Sequence, residues 1–138
     1  MKKKLCVFML AAFAVLTFFS SCGVVKNCDE IGMEFYRCLR DGNYEGVLPL
    51  LDKEALKYTP EEKWIDGLKY KAKSLGAMFK PQRIAFETVT MERVTRVGIK
   101  YKVIYAGADM YEKLEFIERD GEYKITFYQY NPDSLLVD

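Results

Sequence analysis

Hydrophobic and polar positions along this chain change rhythm twice. Leu5 to Phe19 is an uncharged run, polar only at Thr17, behind Met1-Lys2-Lys3-Lys4. A helical bilayer crossing needs roughly 20 apolar residues. A basic segment, a short apolar segment and then small residues, here Ser20 and Ser21, is the layout of an export signal. After it the spacing becomes threefold-to-fourfold. Cys28, Ile31, Phe35, Cys38 and Leu39 make one apolar stripe. Asn27 with Glu30 predicts an N-cap and its reciprocal glutamate, and Gly42 a left-handed stop. "DGNYEGVLPLLD", residues 41–52, predicts a short irregular second helix capped by Asn43 and limited by Pro49. Thr59-Pro60-Glu61-Glu62 opens a third helix with a cap, a proline at its first position and early acids. Trp64, Leu68, Ala72 and Leu75 form its inward stripe, Lys63, Lys69, Lys71 and Lys73 decorate its solvated faces, and Gly76 ends it.

From Pro81 the period falls to two. Val97, Ile99, Tyr101, Val103 and Tyr105 alternate with Arg96, Gly98, Lys100 and Lys102, the pattern of a half-buried strand. Ile84 to Val94 is a less regular strand. Phe86, Val89 and Met91 do not share parity, which predicts a bulge near Glu87–Thr88. Met110 to Glu118 places Leu114 and Phe116 on one face, and Asp120-Gly121 makes a tight turn. The last strand points Tyr123, Ile125 and Phe127 inward. Tyr128 and Tyr130 have the opposite parity, so they are expected outward, as a candidate partner surface. Joints this short allow only an antiparallel meander, since parallel pairing needs crossovers of a dozen or more residues. Helices followed by strands predict an α+β domain: N-terminal helices packed on a curved four-stranded antiparallel sheet, forming a cone.

Charge and cysteine chemistry narrow the function. The chain has 138 residues, no histidine and a formal charge of +1. Loss of residues 1–21 removes three lysines and no acid, which leaves 117 residues at −2. That length suits one domain. Interspersed charge argues against nucleic acid, which needs a concentrated basic face. With no histidine and only Cys28 and Cys38 left, a zinc site is not expected, and without histidine a Cys–His nucleophile is impossible. Cys28 and Cys38, ten residues apart on one helix, would stand about 15 Å apart, too far for a disulfide. Buried thiols are expected. Pairing remains open if the helix starts after Cys28, as does an intermolecular bridge through Cys28.

Phe19-Ser20-Ser21-Cys22 resembles the lipobox of bacterial lipoproteins, with Phe19 where that motif usually has leucine. The resemblance implies a signal peptide at 1–21, a diacylglycerol thioether on Cys22 and a short lipidated tether at 22–27. Several acyl chains then anchor the chain to membrane. Gly23, in place of the aspartate associated with inner-membrane retention, implies the outer membrane, facing the periplasm. An uncleaved signal-anchor and a freely secreted chain are the alternatives.

"EFYRCLRDGNYEGVLPLLD", a third helix and a strand meander together resemble the NTF2-like, or cystatin-like, superfamily. "KSLGAMFKPQRIAFETV" is similar to small exported domains of that kind. The resemblance covers residues 28–131, before a C-terminal tail at 132–138, and implies the cone fold alone, since that fold hosts enzymes and binding modules alike. Its enzymes use a carboxylate base and tyrosine donors inside the cone. Here Tyr101, Tyr105 and Tyr123 are the candidate pocket tyrosines, with Trp64 at the mouth. Among strand carboxylates, Glu112 and Glu118 share parity with Leu114 and Phe116, but both lie near strand ends, where water is the expected environment. No catalytic motif, phosphate loop or metal spacing is present, so no catalytic residue, metal or cofactor is assigned. Two functions remain. One is an envelope-anchored, non-catalytic binding or assembly module for an envelope protein or small apolar ligand. The other is a small isomerase, dehydratase or hydrolase acting on an apolar molecule in the cone. A desolvated carboxylate beside an inward tyrosine in a roomy pocket would favour the enzyme. A filled cone and an open strand edge would favour the module.

Overall fold

A computed structural model describes residues 23–137. Cys22, with the lipid and the 1–21 signal peptide that the resemblance implies, lies outside the described residues. Helix α1 occupies residues 23–40. The stripe extends backwards through Val25, which is buried with Cys28, Phe35, Tyr36, Cys38 and Leu39. Asn27 is therefore an exposed residue within the helix and not its cap, and residues 23–27 form its first turns. Gly42 adopts φ 70° after the last turn, as a left-handed stop requires. Both cysteines are buried and unpaired. No described helix is long and apolar enough to cross a membrane.

A 3₁₀ helix, Tyr44–Leu50, follows, with Asn43 Oδ1 accepting from Gly46 N at 3.1 Å and Pro49 inside it. Helix α2, Lys53–Tyr58, is capped by Asp52. The sequence reading missed this helix because it carries only Ala55 as a fully buried position. Helix α3, Glu61–Leu75, runs between the proline and glycine that signalled it, although Pro60 rather than Thr59 occupies the cap position and no side chain caps it.

Four strands, β1 (Gln82–Met91), β2 (Val94–Ile104), β3 (Asp109–Arg119) and β4 (Glu122–Asn131), pair as an antiparallel meander in chain order. The first hairpin turns on Glu92 and Arg93, both at positive φ. That geometry usually recruits asparagine or glycine, so the expected strand to Val94 breaks where the sequence gives no turn signal. The irregularity in β1 lies at Ile84, the residue left over between Arg83 opposite Tyr101 and Ala85 opposite Lys100, and not at Glu87–Thr88. In β4, Phe127 lies opposite Glu115 while Ile125 lies opposite Phe116, so Thr126 is an extra residue. A bulge inverts the parity of everything after it. Phe127 is consequently exposed and Tyr128 turns to the buried face, the reverse of the expected orientation.

One sheet face carries the core: Val97, Ile99, Tyr101 and Val103 from β2, Leu114 and Phe116 from β3, and Ile125 from β4. Helix α1 crosses this face at close range. Gly32 lies under the Tyr101 ring, and the Tyr101 hydroxyl donates to Asp29 Oδ1 at 2.8 Å. The segment after β4 folds back on the sheet. Lys100 Nζ donates to Ser134 O at 3.3 Å, and Val137 is buried. Leu51 pairs with Ile125 and covers part of the β4 edge. All ten residues of β1 are exposed.

Candidate functional site

The helix-covered face closes around a polar centre. Glu112 of β3 shares parity with Leu114 and Phe116, and β2 and β4 flank it on either side. Its side chain is 0% exposed, contrary to the watery setting expected for a residue near a strand end. From α3, Lys71 reaches down at 3% exposure, and its ammonium donates to Glu112 Oε1 and to the hydroxyls of Tyr105 and Tyr128. Tyr105 Oη donates to Glu112 Oε1 at 2.6 Å, and Tyr128 Oη to Oε2 at 2.7 Å. The Tyr36 hydroxyl, buried beside them on α1, has no hydrogen-bond partner among the described residues. Lys71 from α3, Tyr105 from just past β2 and Tyr128 from β4 thus meet at the one carboxylate of β3.

Electrostatics follow from burial. Taking an ammonium out of water disfavours its charge, so burial holds the Lys71 pKa below the usual lysine value while Glu112 pulls it back up. Burial, and next the negative charge of Glu112, raises the pKa values of Tyr36, Tyr105 and Tyr128 well above the usual phenol value. These phenols stay protonated across the physiological range and act as donors. All three ammonium protons have acceptors, and both carboxylate oxygens are engaged. A buried ion pair whose donors and acceptors are matched is a structural joint.

The anticipated pocket residues disperse around this joint. Tyr105 belongs to it. Tyr101 is buried but bonds to Asp29 on the α1 side. Tyr123 is half-buried at the start of β4. Trp64 is half-buried, lining a cleft of about 190 Å³ with Lys63, Leu68, Tyr128 and Tyr130. Its Nε1–H is buried with no acceptor among the described residues. Tyr128, expected on a partner surface, is a member of the joint, whereas Tyr130 is 41% exposed at its rim. A second cleft, about 150 Å³, opens on the other side of α3 against Leu39, Arg40, Tyr44, Lys71 and Tyr105. The sequence reading missed Lys71 by counting it among solvated lysines. Its position was a signal: it stands three after Leu68 and four before Leu75, on the apolar stripe.

The open surface lies elsewhere. Strand β1 pairs only with β2 and leaves its outer edge without a strand neighbour among the described residues. Ile84, Phe86, Val89 and Met91 are exposed along it, Phe86 at 59% and Met91 at 70%. Phe86 and Val89 have opposite parity in the unshifted part of β1, so apolar groups project on both sides of the ribbon. Glu87 reaches across Gly98 to Lys113 at 3.0 Å, and Arg83 reaches Asp29 at 3.4 Å. Among the described residues no group of carboxylate, cysteine and histidine side chains is arranged to hold a metal ion.

No protein-family model matches the chain, and no curated protein matches it. Solved structures do. A Bdellovibrio bacteriovorus protein superposes with a TM-score of 0.55 at 11% identity, over 79% of this chain and 40% of that one, so this chain spans well under half of its length. A Campylobacter jejuni protein, named as an NTF2-like transpeptidase, superposes with a TM-score of 0.51 at 16% identity, over 72% of this chain and 96% of that one. Likeness at these identities is one of fold. The chain has the NTF2-like α+β fold: helices followed by a curved four-stranded antiparallel sheet.

Proposed function

We propose that this chain is a non-catalytic binding module, held at the bacterial envelope by lipid on Cys22, that takes an extended polypeptide segment along β1. One observation carries the reading. The strand with free main-chain groups is exposed along its whole length, while the carboxylate that an enzyme would use is sealed and saturated. A free edge supplies main-chain donors and acceptors to an added strand, and pockets for alternate side chains supply selectivity. Such edges are ordinarily shortened, charged or covered; here Arg83 and Glu87 are engaged by Asp29 and Lys113, and Phe86, Val89 and Met91 stand exposed between and beyond them.

The enzyme alternative draws on the same carboxylate flanked by tyrosine donors. It requires Glu112 to release Lys71 before any substrate could meet it. The acyl-transfer chemistry in the Campylobacter protein's name finds no evident nucleophile among the described cysteines. Burial pushes the Cys28 thiol up to about 12, and burial likewise raises that of Cys38, next to Glu34.

A photo-crosslinking residue at position 86, with a control at Tyr58 on α2 (78% exposed), tests the module reading in the native envelope. The expected product is a polypeptide adduct from position 86 that Val89→Lys on the same edge abolishes. Equal yields from both positions, or an adduct indifferent to Val89→Lys, would remove the reading. Fatty-acid labelling that survives in Cys22→Ser would remove the anchor.

A further inference from the structure

We propose that Glu112, Tyr105, Tyr128 and Tyr130 form a binding site for a primary ammonium group on an unbranched alkyl stem, and that Lys71 occupies it as the chain's own plug. The Lys71 ammonium lies 4.6 Å from the Tyr105 ring centroid, 5.1 Å from that of Tyr128 and 4.9 Å from that of Tyr130. Tyr105 and Tyr128 meet the ammonium with their hydroxyl ends and Tyr130 with its ring, so three tyrosines form a cage within about 6 Å of one cation. The cage supplies three acceptors, the two hydroxyls and the carboxylate, for the three donors of a primary ammonium. A quaternary ammonium has no proton to donate and would leave every one of these acceptors unmet.

The plug stands on a thinly held element. Of the fifteen residues of α3, only Leu68 and Lys71 are buried. Leu68 lines the clefts on both sides of the helix; Tyr105 lines one, and Tyr128 and Tyr130 line the other. Lifting α3 would therefore join the two clefts across the cage. The stranded Trp64 Nε1–H lies beside the second opening. An outside amine must compete with a tethered one, whose effective concentration is on the order of millimolar or higher. Occupancy from outside thus requires α3 to be displaced. This inference stands apart from the β1 reading, because the cage and the edge share no residue.

The test begins with the full wild-type chain. Backbone amide exchange is followed while n-propylammonium, tetramethylammonium or n-propanol is added at matched concentration and ionic strength. The expected result is a saturable acceleration across residues 61–75 with n-propylammonium alone, the β2–β3 hairpin staying unchanged. In Lys71→Ala, n-propylammonium replaces the missing stem and should raise the melting temperature saturably, binding at least about tenfold more tightly than tetramethylammonium, a step of about 1.4 kcal/mol. Nα-acetyl-lysine methylamide separates the sources: tighter binding than n-propylammonium identifies a polypeptide lysine, weaker binding a small free amine. Equal stabilisation of folded Lys71→Ala by all three additives overturns the proposal. So does wild-type exchange in α3 that stays constant at about 0.1 M n-propylammonium, on the order of a hundredfold above the millimolar effective concentration of the tethered amine. Should Lys71→Ala fail to fold in every additive, the wild-type exchange decides alone.

Discussion

Lys71→Met isolates the charge at the centre of the fold. Methionine keeps an unbranched stem of similar volume and discards the ammonium. Glu112 would then sit unexposed, with phenol donors and no cation. To remain buried at pH 7 its carboxyl must take up a proton that the unfolded chain releases near the ordinary glutamate value of about 4.3. At ~1.36 kcal/mol per pH unit that uptake costs ~3.7 kcal/mol. Breaking buried pairs by removing one partner costs a similar ~3–5 kcal/mol. Relief of the desolvation that already lowers the Lys71 pKa offsets part of this, so a net loss of roughly 2–4 kcal/mol is expected at pH 7. The sign follows from linkage. A carboxyl protonated only in the folded state gives its full stability below the unfolded value and loses it as pH rises, so the deficit should shrink to ~1 kcal/mol at pH 5. Urea denaturation at both pH values reads the difference, with Trp64, the single tryptophan, as fluorescent reporter beside Tyr128. A deficit equal at pH 5 and pH 7, or absent at pH 7, would refute the assignment of Lys71 as the counter-ion.

Three further outcomes follow from the same packing. Tyr36, Tyr105 and Tyr128 keep protons in the fold that the unfolded chain releases near pH 10, so stability present below pH 10 is lost above it. Lys71, with its lowered pKa, acts in the opposite sense as one group against three, and a urea midpoint that does not fall between pH 9 and 11 would contradict this. Gly32→Ala would place a Cβ 2.5 Å from the Tyr101 hydroxyl; the variant should lose ~1–3 kcal/mol by thermal denaturation despite alanine's better helix propensity, and a neutral result would show that Tyr101 can move. Tyr128→Ser should cost ~3 kcal/mol or more and Tyr130→Ser under ~1 kcal/mol, whereas equal costs would place both rings in one environment.

What the sequence revealed and what it concealed divide along physical lines. The break at Pro81, the proline–glycine bracket of α3, the Asn43 cap and the Asp120-Gly121 turn are local signals, and each reappears in the fold. The helix start was misplaced because a polar residue within four of an apolar stripe imitates a cap; Val25 shows that the stripe began earlier. The bulge at Thr126 was invisible because register is fixed by partner strands, and one extra residue transferred Tyr128 from surface to interior. Lys71 and Glu112 each broke the hydrophobic rule on an inward position. Each was assigned to solvent, because a sequence scanned element by element does not show that two such violations meet and neutralise one another.

The joint at Glu112 also limits how the sequence can drift. A surface residue can be exchanged alone, but loss of Lys71 strands an acid, loss of Glu112 strands a base, and loss of either phenol leaves both of them short of a bond. Descendants of this chain are therefore expected to inherit the quartet entire or to replace it wholesale with apolar side chains. Half-altered versions should be rare, and that all-or-nothing inheritance is a signature to seek wherever related chains are aligned.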